Sequence, residues 1–236
     1  MIAFETERLR LRNVTANDAD IMNDYRNNEI CAQYQRGQTR DYDGITELVE
    51  KRKNDVISTD APFLIAVALK NSNEMVGEIV VMPNEGTISL GYTFSYRHHR
   101  QGYAFESLSA LIDILHDRYP EWDFICFTER ENTASRNLLK KLGYKDMGYA
   151  PSVESQVFGK WTTSATEAEI AEAVKWRSEF SDRYHIHYIM FQGRNLRCGL
   201  LCSRYLVFQV GQRIVLPSAS VRWGAKRALP VADQAS

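Results

Sequence analysis

Eleven residues, Tyr96-Arg97-His98-His99-Arg100-Gln101-Gly102-Tyr103-Ala104-Phe105-Glu106, set a basic loop and a glycine at the point where a helical pattern begins. A junction of this kind holds anions. The first N–H groups of a helix have no intrahelical acceptor, and the aligned peptide dipoles add positive potential there. Gly102 has no Cβ, so a phosphate can approach its backbone closely. A second residue stands out for the opposite charge. Glu78 interrupts the apolar run Met75–Met82, where a carboxylate is costly unless it faces a wet site; alternation can equally place it on a solvated face. Metal chemistry is not expected: His98 and His99 are adjacent in a loop, so their side chains diverge, and no third ligand accompanies them. The four cysteines, Cys31, Cys126, Cys198 and Cys202, form neither a CxxC pair nor a Cys/His metal spacing, and read as reduced thiols.

The elements around these residues follow from periodicity. Glu7–Arg12 alternates polar and apolar residues as a half-buried strand does. Thr15 and Asn17 offer capping oxygens for a helix over Asn17–Asn28, and a second helix is predicted over Asp43–Val56. Three strands follow, Phe63–Leu69, Met75–Met82 and Thr87–Phe94, joined by short turns that favour an antiparallel meander. The helix from Gly102 to Arg118 is predicted to bury Leu108, Leu111, Ile112 and Leu115. A strand over Asp123–Phe127, a helix over Asn132–Leu142 stopped by Gly143, and a strand over Tyr144–Tyr149 come next. An insert from Ala150 to Arg183 carries its own helix, Thr166–Phe180, and a last strand is predicted over His185–Phe191. The fold class is mixed α/β on one sheet.

Composition allows a real core, with 44% apolar and 11% aromatic residues. The formal net charge of −1 gives no general case for nucleic acid or a membrane. It conceals an asymmetry, however. Residues 1–192 carry 22 basic and 29 acidic residues, whereas residues 193–236 carry seven basic residues and one acid, Asp233. We therefore divide the chain into a domain over 1–192 and a basic C-terminal extension over 193–236, read as a partly disordered appendage or as an RNA-contacting segment. Met1-Ile2-Ala3-Phe4-Glu5 lacks the charged and apolar regions of a signal peptide, and no apolar run approaches the roughly 20 residues of a membrane helix. The expectation is a soluble, cytoplasmic protein.

The anion-binding loop gains meaning from Glu131-Asn132-Thr133-Ala134-Ser135-Arg136-Asn137-Leu138-Leu139-Lys140-Lys141-Leu142-Gly143-Tyr144. Together the two segments resemble the acetyl-CoA motifs of the GNAT acyltransferases. Glu5-Thr6-Glu7-Arg8-Leu9-Arg10-Leu11-Arg12 resembles the opening of the ribosomal-protein N-terminal acetyltransferase branch. The resemblance covers roughly residues 4–150 plus 184–191. It implies a largely antiparallel central sheet flanked by helices, whose middle strands, here Thr87–Phe94 and Asp123–Phe127, splay apart to admit acetyl-CoA. It further implies that the pyrophosphate sits on His99, Arg100, Gln101, Gly102, Tyr103 and Ala104, that Phe94 offers main-chain contacts near the thioester, and that Asn132 holds the pantetheine arm. The family usually has Arg or Gln where His99 stands, and often a glycine at Arg100.

Acyl transfer from a thioester to an amine needs a neutral amine, donors for the oxyanion and a proton or hydrogen bond for the departing thiolate. Glu78 is the candidate base. In the wider family a helix tyrosine often protonates the thiolate, and Leu139 occupies that place; the resemblance to the ribosomal-protein branch implies a serine in the role, here Ser135, which can also be read as an ordinary first-turn helix residue. Asn132 can serve as helix N-cap as well as ligand contact. The acceptor implied is a primary amine, a protein N-terminus or a small molecule, in a monomer or homodimer without a metal. A CoA-binding sensor without turnover is the alternative.

Overall fold

The computed structural model describes residues 2–180, with side chains described through Val174. The strand predicted over His185–Phe191 and the basic extension lie outside the described residues. The N-terminal strand is a hairpin: β1 (Ala3–Glu5) pairs antiparallel with β2 (Leu9–Arg12), whose alternation buries Leu9 and Leu11. A 3-10 turn over Ala16–Asp18, with the Asp18 carboxylate accepting from the Thr15 N–H at 2.7 Å, leads into α1 (Ala19–Asn27). The cap thus falls on Thr15 and Asp18. A short helix α2 (Glu29–Ala32) follows, then α3 (Tyr42–Arg52), which ends four residues before Val56 and leaves Val56 exposed.

The continuous apolar run becomes β3 (Phe63–Leu69), buried on both faces as such runs are when they sit inside a sheet. The meander continues with β4 (Met75–Asn84) and β5 (Thr87–Phe94), both antiparallel to their predecessors. Then come α4 (Tyr103–Arg118), β6 (Asp123–Thr128), α5 (Thr133–Lys141), β7 (Lys145–Ala150), β8 (Ser155–Lys160) and α6 (Ser164–Phe180). The eight strands lie in the order β1-β2-β3-β4-β5-β6-β8-β7. The insert expected after Ala150 therefore contributes a strand as well as a helix, and β8 occupies the place beside β6.

Three apolar clusters cover the two faces. Leu108, Leu111, Ile112 and Leu115 of α4 are all buried, as their spacing predicts, and pack with Leu139 of α5 against Leu9, Ile65, Ile88, Leu90, Phe124 and Cys126. Each such side chain removed from water contributes roughly 1.5–3 kcal/mol. On the other face, Met22 and Tyr25 of α1 and Ile45 and Val49 of α3 cover Leu64 and Ala66, while α6 sets Ile170 and Ala173 against Ile125 and Val157.

The sheet is antiparallel except where β5 meets β6. These strands run parallel and pair only at Thr87 with Asp123 and Ile88 with Phe124. Beyond that point they share no further main-chain pair, as the resemblance implied. Among the described residues no helix is long and apolar enough to cross a membrane, and no group of three or more His, Cys, Asp or Glu is placed to hold a metal ion.

Candidate active site

The wedge between β5 and β6 is lined by backbone. Ser95 N–H donates to the Val76 carbonyl at 2.8 Å, and Gly77 faces Phe94, Glu78 faces Thr93 and Ile79 faces Tyr92. In an antiparallel ladder hydrogen-bonded and non-bonded pairs alternate. Tyr92 and Phe94 accordingly turn their N–H and C=O groups away from β4 and into the gap. Gly77 leaves room for the Phe94 ring against β4: a Cβ there would lie 2.6 Å from Phe94 Cδ1 and 2.7 Å from the Thr93 carbonyl.

Both carbonyls in the gap have donors from this chain. Gln35 Nε2 donates to the Tyr92 carbonyl at 3.0 Å, Cys31 Sγ to that of Phe94 at 3.3 Å, and His99 Nε2 lies 2.9 Å from the same Phe94 oxygen. The segment that carries Gln35 bridges the wedge from above. Tyr34 Oη donates to the Glu131 carbonyl at 3.3 Å, and Arg36 pairs with Glu129 and donates to the Glu154 carbonyl at 3.4 Å.

At the far end of β5 the loop assembles where the sequence placed it. Gly102 is in the left-handed region (φ 85°), and Glu106 N–H closes the first helical turn on its carbonyl at 3.0 Å. The N–H groups of Tyr103, Ala104 and Phe105 precede that bond and so have no intrahelical acceptor. Arg100 is also left-handed (φ 64°), the conformation for which glycine is the low-strain residue. Its side chain is exposed and has no ion-pair partner among the described residues. Arg97, by contrast, pairs with Asp24 at 3.3 Å. His99 departs from expectation. Its N–H donates to the Tyr96 carbonyl at 3.4 Å, closing the 3-10 turn, and its ring is on Phe94, so its backbone is not turned outward as a phosphate donor.

Arg8 fastens this loop to the N-terminal hairpin. Its Nη1 donates to the Gln101 carbonyl at 3.0 Å, and its guanidinium lies 4.8 Å from the centre of the Tyr103 ring. Glu106 completes the clasp, accepting from Thr6 Oγ1 at 2.5 Å, Arg8 N–H at 2.8 Å and Arg8 Nε at 2.7 Å. Burial alone would raise the Glu106 carboxyl; these bonds outweigh it and hold the group below its ordinary value. A carboxylate depressed on folding stabilises the fold above its unfolded value, and that stabilisation is lost as pH falls through about 4 and below. Glu106→Gln is expected to cost about 1 kcal/mol at pH 7. The difference should shrink as the pH is lowered from about 7 to about 3, as read from urea midpoints at the two pH values; an equal loss at both would remove the carboxylate from the account.

On the opposite wall Asn132 caps α5, its Oδ1 accepting from Ser135 N–H at 3.0 Å. Its Nδ2 has no partner among the described residues and is available to a ligand. Ser135 Oγ lies 2.8 Å from Tyr92 Oη across the wedge.

Glu78 requires a correction. It does not face a wet site: it is 1% exposed, with Oε1 accepting from Arg26 Nε at 3.0 Å and Gln38 Nε2 at 2.8 Å, and Oε2 from Arg26 Nη2 at 2.6 Å. Both oxygens are engaged by this chain, so the geometry offers an incoming amine no free carboxylate there. Sequence reasoning missed the partner, although a signal exists. Ala19, Met22, Tyr25 and Arg26 fall on one helical stripe, so Arg26 sits among residues that must be buried. Gln35 and Arg8, in contrast, carry no local mark of their roles.

A wedge in a mixed sheet, lined by outward-turned amides and ending at an anion-binding helix start, is the architecture of an acyl-CoA site. Residues 8–145 match the family described as acetyltransferase (GNAT) domain. The chain belongs to the GNAT family and is an acetyl-CoA-dependent acetyltransferase. Its fold is similar to that of a GNAT-family acetyltransferase from Bacillus anthracis (20% identity, TM-score 0.57, 67% of this chain and 96% of that one). It is also similar to ribosomal-protein-S5-alanine acetyltransferase from Vibrio fischeri (15% identity, TM-score 0.57, 69% and 100%). A third similar structure is RimL, a ribosomal L7/L12 α-N-protein acetyltransferase in complex with coenzyme A (14% identity, TM-score 0.55, 67% and 97%). Comparison with curated protein sequences returns no match.

Proposed function

We propose that the chain transfers the acetyl group of acetyl-CoA directly to a primary amine, with a protein N-terminus as the acceptor, in the cytoplasm. The observation that carries this reading is the wedge itself: the Tyr92 and Phe94 N–H groups face a gap whose other wall is Asn132 and Ser135 and whose end is the Gly102 helix start. In this reading pantetheine lies along β5, Asn132 Nδ2 holds its amide, and the pyrophosphate rests on the N–H groups of Tyr103, Ala104 and Phe105 with Arg100 nearby. A main-chain N–H at Phe94 is placed to stabilise the tetrahedral oxyanion. The amine enters as the free base. Its nitrogen forms the new bond to the acetyl carbon, the carbon–sulfur bond breaks, and the proton the amine loses ends on the CoA sulfur, with Ser135 supplying a hydrogen bond to the departing thiolate. No metal or covalent enzyme intermediate takes part. The protein-N-terminus acceptor is supported by the similarity to ribosomal-protein acetyltransferases named above and by the opening segment Glu5–Arg12.

The test is release of CoA thiol from acetyl-CoA by the full chain across N-terminal peptides and small amines, including an aminoglycoside and a polyamine. N-terminal peptides should turn over fastest. Small amines as the better substrates would replace the acceptor, while binding of acetyl-CoA without thiol release from any amine would replace catalysis with a sensing role.

A further inference from the structure

Tyr92 is legible in the sequence only as a core aromatic, yet its hydroxyl ends on the one side-chain oxygen proposed to meet the leaving group. The 2.8 Å bond to Ser135 Oγ crosses from β5 to α5, beyond the point where the two strands stop pairing. We propose that Tyr92 is a positioning residue for acyl transfer, donating its O–H to Ser135 Oγ and so leaving the serine proton directed at the CoA sulfur. The inference rests on the acetyltransferase reading above.

Each hydroxyl has one proton to give. Either hydroxyl could donate by geometry; a phenol is the more acidic of the two, hence the better donor, and an alkyl hydroxyl the better acceptor, and on that ground Tyr92 is taken as the donor. Burial holds the Tyr92 hydroxyl above the ordinary tyrosine range, although the Ser135 contact pulls the other way, so the phenol keeps its proton at neutral pH. A serine in a first helical turn would otherwise turn its proton back to a preceding carbonyl. Here Ser135 Oγ has Tyr92 as its only side-chain or backbone partner among the described residues. Both ends are held. Ser135 N–H is on Asn132 Oδ1, Arg136 N–H is on the Asn132 carbonyl at 3.0 Å, and the Tyr92 carbonyl accepts from Gln35. Neither hydroxyl need lose its proton: the pair lends a directed hydrogen bond while the proton from the amine reaches sulfur.

The test compares the full chain with Tyr92→Phe, Ser135→Ala and the double variant, each confirmed to bind acetyl-CoA by calorimetry. With acetyl-CoA and the best amine, Tyr92→Phe should lower kcat about tenfold, the scale of one hydrogen bond, with KM for acetyl-CoA changed less than about twofold. Tyr92→Phe should cost nothing further in the Ser135→Ala background. With S-phenyl thioacetate, whose aryl thiolate leaves without help, both single variants should match the unsubstituted chain. Equal losses on both thioesters would reduce Tyr92 to a structural contact and overturn the inference. So would additive losses in the double variant, or unchanged kcat in Tyr92→Phe. An unsubstituted chain that releases no thiol with any amine overturns the functional reading, and this inference falls with it.

Discussion

Replacing Arg26 with alanine should destabilise the chain by about 3–5 kcal/mol, enough to consume much of the stability of a domain this size. The pair it breaks is sealed: the Arg26 and Glu78 side chains are 3% and 2% exposed. Arg26 also donates Nη1 to the Thr39 carbonyl at 2.9 Å, so its loss frees the segment over the wedge. The penalty arises from what is left behind, a buried Glu78 carboxylate without its ion-pair partner, still accepting from Gln38 Nε2. Replacing both charges by apolar residues of similar volume, Arg26→Met with Glu78→Leu, should restore stability to near the starting value. Urea unfolding of the three proteins measures this, and an Arg26→Ala variant as stable as the original would show that the pair is not sealed in solution. The double variant also decides what Glu78 does in catalysis. Retained thiol release with an unchanged pH profile leaves the pair structural, whereas loss of kcat in a folded, acetyl-CoA-binding protein would return Glu78 to the role of base.

The second large effect is on ligand binding. Gly102→Val should weaken acetyl-CoA binding by about 100-fold or more, roughly 2.7 kcal/mol, as read by calorimetry. A left-handed backbone costs a residue with a Cβ roughly 1–2 kcal/mol, and β-branching makes it worse. The new side chain would also stand at the helix start, on the surface where the free N–H groups of α4 begin, with its Cβ 3.3 Å from Arg8 Nη2. Strain and obstruction act together, so the affinity loss should exceed the stability loss. Unaltered affinity in the folded variant would place the phosphates elsewhere.

Much of the fold was legible because it rests on local pattern. The Phe63–Leu69 run, the stripe Leu108-Leu111-Ile112-Leu115 and the stop at Gly143 each follow from periodicity or turn chemistry within a few residues. The parts that were not legible depend on contacts between distant segments. Nothing near Ser155–Lys160 marks it as the strand beside β6, since that place is decided by its pairing with Ile125 and Phe127. Similarly, Glu78 was recognised as costly, but whether water or an opposite charge would satisfy it depended on a helix 52 residues away in sequence. At the site, Gly102 and Asn132 announce themselves through the demands of a helix start. Tyr92 and Gln35 do not, because an aromatic in a strand and a glutamine in a loop are compatible with any surroundings.

One consequence follows from the single short stretch of pairing between β5 and β6. Main-chain pairing joins only Thr87 and Ile88 to Asp123 and Phe124, so the sheet consists of two leaves paired at one corner; beyond it the strands meet through side chains, Ser89 Oγ on the Ile125 carbonyl at 2.7 Å and Tyr92 on Ser135. From Ile88 to Phe94 the strand is about 20 Å long at some 3.3 Å per residue. A rotation of about 5° at the corner then carries the Phe94 end through nearly 2 Å, most of the difference between a hydrogen bond and none. In the proposed binding mode the acetyl group would take its position relative to Ser135 from an angle set at the opposite end of the strand, and the arm of the cosubstrate would supply the rungs missing between the leaves.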